Sequence, residues 1–192
     1  MNKAVFLDRD GVLINDIDLL TKSSDIALLP KVPAALKLFK QFKFFIFIIT
    51  NQTVIARGMA SEEDVARINL AIDTYIAKEN GPTPDGYYIC PHHPSATLEK
   101  YRMVCDCRKP EPGLLLRAAR EHDIDLSRSF MIGDRITDII SGYKAGCQTI
   151  LVQTGKHSAP PIETSKRIDT SIKPDKICID LFHAAQWIVG KS

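Results

Sequence analysis

Two acids two residues apart, Asp8 and Asp10, close the apolar run Ala4-Val5-Phe6-Leu7 in the segment Asp8-Arg9-Asp10-Gly11-Val12. A third, Asp134, follows another apolar run in Met131-Ile132-Gly133-Asp134-Arg135, with Asp138 one turn further on. Carboxylates gathered from separate strands make an oxygen-rich site suited to a hard cation such as Mg2+. Such a site fits phosphoryl transfer. One carboxylate can attack phosphorus if a cation neutralises the charge between the two anions, and a second carboxyl group can protonate the departing alcohol and later activate water. A hydroxyl and a cation are then wanted around the transferring group, and Thr50 and Lys109 are the candidates.

A second set of residues points to another metal. Cys90-Pro91-His92-His93-Pro94 and Cys105-Asp106-Cys107 offer two close pairs of donors, with twelve residues between His92 and Cys105. Four soft or borderline donors so spaced suit a closed tetrahedral Zn2+ site. The segment has few apolar residues to fold around, so the metal is expected to supply its order. Spacing leaves open which histidine binds. Cys107 precedes Lys109 by two residues, so a structural Zn2+ would aim Arg108 and Lys109 at the phosphate. Cys147 and Cys178 lie among apolar neighbours and are expected in the core.

Positioning these groups requires strands that end side by side. Strand-like runs alternate with helical patterns along the whole chain, which predicts a Rossmann-like α/β fold: a parallel sheet covered by helices on both faces. Strands are expected at 4–7, 44–49, 85–89, 129–132 and 149–152, with an edge strand at 177–179. A helix beginning near Pro30 and Pro33 has Leu36, Phe39 and Phe42 on one face. Ser61-Glu62-Glu63-Asp64 is a capping box opening a helix to about residue 78, with Val65, Ile68, Ile72 and Ile76 inward. Further helices are expected at 114–122, at 137–145 with Gly146 ending it, and at 181–189. Residues 155–174 read as a polar loop. In open parallel sheets ligands sit beyond the carboxyl ends of the strands, where the acids and Thr50 fall.

Composition narrows the function. The chain has 192 residues, 45% hydrophobic and 25% charged, which fits one globular domain over 1–192. With 25 Lys+Arg against 23 Asp+Glu the net charge is only +2, so no nucleic-acid partner is expected. The apolar run 44–49 is far shorter than the ~20 residues that span a bilayer, so no membrane partner is expected. The N-terminus enters a strand at once, with no room for a signal peptide, and the five cysteines read as reduced or metal-bound. A cytoplasmic monomer is the expectation.

Asp8-Arg9-Asp10-Gly11-Val12, Thr50-Asn51, Lys109-Pro110 and Gly133-Asp134-x-x-x-Asp138 resemble, in order and spacing, the four motifs of the haloacid-dehalogenase superfamily of aspartate-nucleophile phosphatases. The resemblance covers essentially the whole chain. It implies Asp8 as nucleophile and Mg2+ ligand, Asp10 as general acid/base whose backbone carbonyl also meets the metal, Thr50 and Lys109 as phosphoryl holders, and Asp134 as a further Mg2+ ligand. It leaves Asp138 either behind the metal shell or facing its helix. The cysteine and histidine segment resembles the zinc-containing branch of heptose-bisphosphate and histidinol phosphatases, which implies Zn2+ on Cys90, His92, Cys105 and Cys107. With no room for a large cap domain, the zinc loop, the 10–25 loop and the 50–58 loop would form the pocket rim around a small phosphorylated sugar. Thr50-Asn51-Gln52-Thr53 and Ile55-Ala56-Arg57-Gly58 resemble a segment of that branch, which makes Asn51, Gln52, Thr53 and Arg57 expected substrate contacts. Arg57 and Arg108 are candidates for a second anionic group, and Arg135 for a basic substrate contact. Val54 departs from the branch, which has Gly there, and Asp16–Leu19 lacks its Gly-Tyr pair. The implied reaction is hydrolysis of the 7-phosphate of a heptose 1,7-bisphosphate in nucleotide-heptose synthesis. The alternatives are histidinol phosphate as substrate, or a zinc-stabilised binding module without catalysis.

Overall fold

The computed structural model describes residues 1–156, 158 and 171–191. In chain order the elements are β1 (Ala4–Leu7), α1 (Val32–Gln41), β2 (Phe45–Asn51), α2 (Thr53–Ala56), α3 (Glu62–Lys78), β3 (Gly86–Cys90), α4 (Gly113–His122), β4 (Phe130–Gly133), α5 (Ile136–Ala145), β5 (Gln148–Val152), β6 (Lys176–Cys178) and α6 (Leu181–Val189). The six strands form one sheet of order β3-β2-β1-β4-β5-β6, and every neighbouring pair is parallel.

Side-chain alternation along β1 divides the core in two. Val5 and Leu7 join Leu36 and Phe39 of α1, Ile68 and Ile72 of α3, and Ile188 of α6 on one face. Ala4 and Phe6 join Phe47, Met131 and the α4 residues Leu115 and Ala118 on the other. Strands covered on both faces read as unbroken apolar runs, and β1 is buried along its whole length for this reason.

The caps follow local chemistry. Asp64 N–H donates to Ser61 Oγ at 3.0 Å and Ser61 N–H to Asp64 Oδ2 at 2.8 Å, which starts α3 as the capping box predicts. Val65, Ile68, Ile72 and Ile76 all point inward. Gly146, at φ 87°, ends α5. Phe42 differs from expectation: α1 stops at Gln41, and Phe42 is 40% exposed. The chain turns through Lys43 at φ 61° and seats Phe44 instead, edge-on to Phe39 and Phe130 with centroids 6.2 and 6.0 Å away. Cys147 and Cys178 are buried core residues, as expected. Most of the predicted 155–174 loop lies outside the described residues.

Candidate active site

The strand order reverses direction at β1. Connections run from β1 through β2 to β3 on one side and from β4 through β5 to β6 on the other, which opens a crevice at the carboxyl ends of the central strands. Asp8 follows β1, Thr50 and Asn51 end β2, and Asp134 follows β4.

Lys109 enters this crevice almost fully buried. Its ammonium lies 2.9 Å from Asp8 Oδ1 and 2.6 Å from Asp138 Oδ1, and donates to the Ile49 carbonyl at 2.8 Å. Asn51 holds the Lys109 backbone from both sides, accepting its N–H at 3.1 Å and donating to its carbonyl at 3.2 Å. Burial disfavours the Lys109 charge, but Asp138 and Asp8 outweigh it and raise the pKa. Burial raises the Asp8 pKa well above the carboxylate range; Lys109 opposes this, and Asp138, Asp134 and Asp10 add to it. One ammonium does not balance three buried acids.

The chemistry of the donors fits a hard cation. Asp8, Asp134 and Asp138 each offer an oxygen, all within 4.8 Å of one another. Asp134 accepts the Lys156 N–H on Oδ2 at 2.6 Å, while its buried Oδ1 has no hydrogen-bond partner among the described residues. Burial and the Asp138 charge push the Asp134 pKa up to about 6, so the site is short of positive charge. Close approach is built into the backbone. A Cβ on Gly11, which has φ 77°, would lie 2.5 Å from Asp134 Oδ2, and one on Gly133 would lie 2.2 Å from Asp138 Cβ.

Cys90, His92, Cys105 and Cys107 converge as a second donor cluster. The Sγ separations are 3.2, 3.2 and 3.7 Å, and His92 Nδ1 lies 3.3 Å from Cys107 Sγ and 3.9 Å from Cys90 Sγ. A tetrahedron built on Zn–S of ~2.3 Å and Zn–N of ~2.0 Å has edges of about 3.5–3.8 Å, so these donors are spaced for one Zn2+. The loop carrying them is not held by metal donors alone. Ala96 and Tyr101 join Val54, Ile55, Ala56 and Val65 in a satellite core, and Tyr101 Oη donates to Glu62 of α3 at 2.6 Å. Val54 thus sits in the short helix α2 and fills this core, which explains how the loop does without the expected Gly.

The crevice opens into a cavity of about 260 Å3, at the small end of ligand sites and fit for a metabolite rather than a polymer. Asp8, Asp10, Thr50 and Lys109 line its floor, Arg57, His93 and Arg108 one part of its rim, and Asp16, Asp18 and Arg135 another. Arg108 donates to the His92 carbonyl at 3.0 Å and to Thr53 Oγ1 at 3.4 Å, tying the rim to the cysteine cluster. Arg135 pairs with Asp16 at 2.9 Å. Burial works against the Asp16 charge, yet the Asp18 N–H, Arg135 and Lys156 hold its pKa low. Asp18, in the left-handed region at φ 68°, stands in the stretch lacking the Gly-Tyr pair and pairs with Lys156.

A family model described as HAD-hydrolase-like matches residues 106–184. A curated relative from Photorhabdus laumondii, named D-glycero-beta-D-manno-heptose-1,7-bisphosphate 7-phosphatase, is 43% identical over 154 residues, 80% of this chain and 81% of the relative. The chain belongs to the haloacid-dehalogenase-like hydrolases. A relative of the same name from Escherichia coli K12 is 37% identical over 84% of this chain and 85% of its own. The structure of D,D-heptose 1,7-bisphosphate phosphatase from B. bronchiseptica, complexed with magnesium and phosphate, aligns with a TM-score of 0.81 at 28% identity over 99% of both chains. The structure of a protein from Mesorhizobium loti aligns with a TM-score of 0.79 at 25% identity, covering 97% of this chain and 87% of its own.

All the residues expected at the floor of this HAD-like fold meet there, and Asp138 faces Lys109, which the motif left open. Gln52 lines the cavity, where a substrate contact was expected, although it is largely buried and its amide also bonds to Asp10, Thr50 and Arg9. Sequence reasoning gave no role to Arg9, Asn69 and Lys156, and weighed His93 only as a zinc donor, not as part of the cavity rim. For Asn69 a signal exists, because it is a polar residue on the apolar stripe of α3. Lys156 carries none, since its N–H reaches Asp134 only through the fold.

Proposed function

We propose that the chain is a Mg2+-dependent phosphatase, one domain over residues 1–192, that hydrolyses the 7-phosphate of D-glycero-D-manno-heptose 1,7-bisphosphate. The observation that carries this reading is the buried line of Asp8, Lys109 and Asp138 beside an Asp134 oxygen that has no partner among the described residues, opening on a cavity rimmed by Arg57 and Arg108. The names of the relatives support the substrate, and two arginines on the rim suit a second phosphate.

In this reading the Asp8 carboxylate attacks phosphorus while Thr50 and Lys109 hold the phosphoryl oxygens. The P–O ester bond breaks, its electron pair leaves on the sugar oxygen, and Asp10 delivers a proton there. Asp10 then takes a proton from the water that attacks the aspartyl-phosphate, which releases phosphate and restores Asp8. Asp8, Asp134 and the Asp10 carbonyl would hold Mg2+, with Asp138 acting through Lys109. Bound there, Mg2+ neutralises charge between the attacking carboxylate and the phosphoryl group. Zn2+ on Cys90, His92, Cys105 and Cys107 is structural, setting the loop from which Arg108 and Lys109 project. Asn51 serves by fixing Lys109, Thr53 by bracing Arg108, and Arg135 as a basic contact once a phosphate competes with Asp16. No helix of the described residues is long and apolar enough to cross a membrane, and the enzyme is read as a cytoplasmic monomer.

Phosphate release from the heptose bisphosphate and from histidinol phosphate, measured side by side, tests the substrate. Asp8→Asn should abolish release from both while leaving the circular-dichroism spectrum unchanged. Activity within a few-fold of the parent would end the aspartyl-phosphate reading, and preference for histidinol phosphate would end the substrate assignment.

A further inference from the structure

Arg9 lies between the two acids at the end of β1 and is only 1% exposed. Its guanidinium is heavily engaged. Nε and Nη2 grip the two Asp10 oxygens at 3.1 and 3.2 Å, Nη2 also donates to Gln52 Oε1 at 2.9 Å, and Nη1 donates to Asn69 Oδ1 at 3.1 Å. Gln52 closes the ring by donating to Asp10 Oδ2 at 3.0 Å and to Thr50 Oγ1 at 2.9 Å. Asn69 is itself buried, on the inward stripe of α3, and neither it nor Arg9 lines the cavity.

Stability alone is a poor reason for this arrangement. A buried guanidinium with its partners is often replaced by packed apolar side chains without loss. What a planar fork provides is orientation, since two parallel bonds fix the plane of a carboxylate. The carboxylate so fixed is Asp10, whose proposed proton transfers depend steeply on position.

We infer that Asn69 and Arg9 are positioning residues that hold the Asp10 carboxylate in register for proton transfer, an inference that rests on the acid/base role proposed above. Asn69 anchors the guanidinium from α3, and the guanidinium, with Gln52, anchors the carboxylate. A dependence on leaving group follows. An alkyl ester oxygen needs a proton to depart, whereas p-nitrophenolate leaves without one. Attack by water needs a base in either case.

Asn69→Ala in the metal-loaded enzyme tests this with p-nitrophenyl phosphate and the heptose bisphosphate as probes. For p-nitrophenyl phosphate, kcat/KM reports the transfer to Asp8 and should stay within about two-fold of the parent, while kcat falls about ten-fold as the phosphoenzyme accumulates. For the bisphosphate both parameters should fall about ten-fold. Asn69→Asp keeps the acceptor and should restore kcat to within about three-fold. Arg9→Lys keeps the charge, loses the fork and should reproduce the split, which keeps the test available if Asn69→Ala does not fold. Equal loss of kcat/KM on both probes would mark a merely structural role and overturn the inference, as would an unchanged kcat. Asp10→Asn in the same assays separates the two levels. If it shows the split and Asn69→Ala does not, the inference alone fails; if it shows no split, the role of Asp10 fails and the inference with it.

Discussion

Replacing Asp134 by Asn should stabilise the Mg2+-free protein while abolishing its response to Mg2+. Asp134 is fully buried, with one oxygen on the Lys156 N–H and the other without a partner among the described residues. Its pKa stands at about 6, raised by burial and by Asp138, against ~3.9 for an unfolded aspartate. Between those two values the folded chain binds more protons than the unfolded one. Stability therefore falls as pH rises from about 4 to about 6 and stays reduced above that. A gap of roughly two pH units at ~1.4 kcal/mol per unit sets the penalty near 3 kcal/mol at pH 7.5.

An amide of the same shape keeps an acceptor for Lys156 and carries no charge, so Asp134→Asn should melt about 6–12 °C above the parent at pH 7.5. At pH 5 the advantage should shrink by about half. Thermal unfolding by circular dichroism in Mg2+-free buffer reads this out; no chelator is added, because it would also strip a zinc site. At a Mg2+ concentration about 100 times Kd the parent should gain about 3 kcal/mol, and the variant nothing. A variant melting at or below the parent without Mg2+, or an advantage that does not shrink at pH 5, would refute the electrostatic reasoning. An equal response to Mg2+ would remove Asp134 from the metal site.

Cys107→Ser should lose bound zinc by elemental analysis and melt roughly 4–8 °C lower, as for about 2 kcal/mol, yet stay folded, because Ala96 and Tyr101 anchor the loop independently. Arg108→Ala should lower kcat/KM for the bisphosphate about ten-fold or more, as loss of a charge-assisted hydrogen bond, and cost much less on p-nitrophenyl phosphate, which lacks the second anion. Asp180 caps α6, accepting the His183 N–H at 2.8 Å and pairing with its ring at 2.7 Å. Burial opposes its charge, but these bonds hold its pKa low, so its contribution is present above about pH 4 and fades as pH falls through the folded value. Asp180→Ala should therefore cost about 1 kcal/mol at pH 7, seen as 2–4 °C in Tm, with the difference vanishing in acid.

What the sequence discloses and what it hides divide along a physical line. β1 and α6 were expected at the bounds the structure shows, because apolar patterning over a short stretch is a local signal that tertiary contacts merely confirm. Phe42 was misplaced because periodicity continues past the residue where a helix ends, and only the turn at Lys43 decides whether Phe42 or Phe44 enters the core. The floor of the site was legible for a related reason: in a parallel sheet, polar residues after apolar runs arrive at one edge, so Asp8, Thr50 and Asp134 meet by topology alone. The orientation of Asp10 was not legible, since it is set by Arg9, Gln52 and Asn69, and Asn69 comes from a helix 60 residues away from Arg9. A residue that acts on substrate is betrayed by its own chemistry at a strand end, whereas a residue that holds another in place differs from ordinary core only in being polar where apolar is expected. Asn69 between Ile68 and Ile72 carries that weaker mark, and a polar side chain on the inward stripe of a helix beside a catalytic edge is therefore the place to look for the groups that aim a general acid.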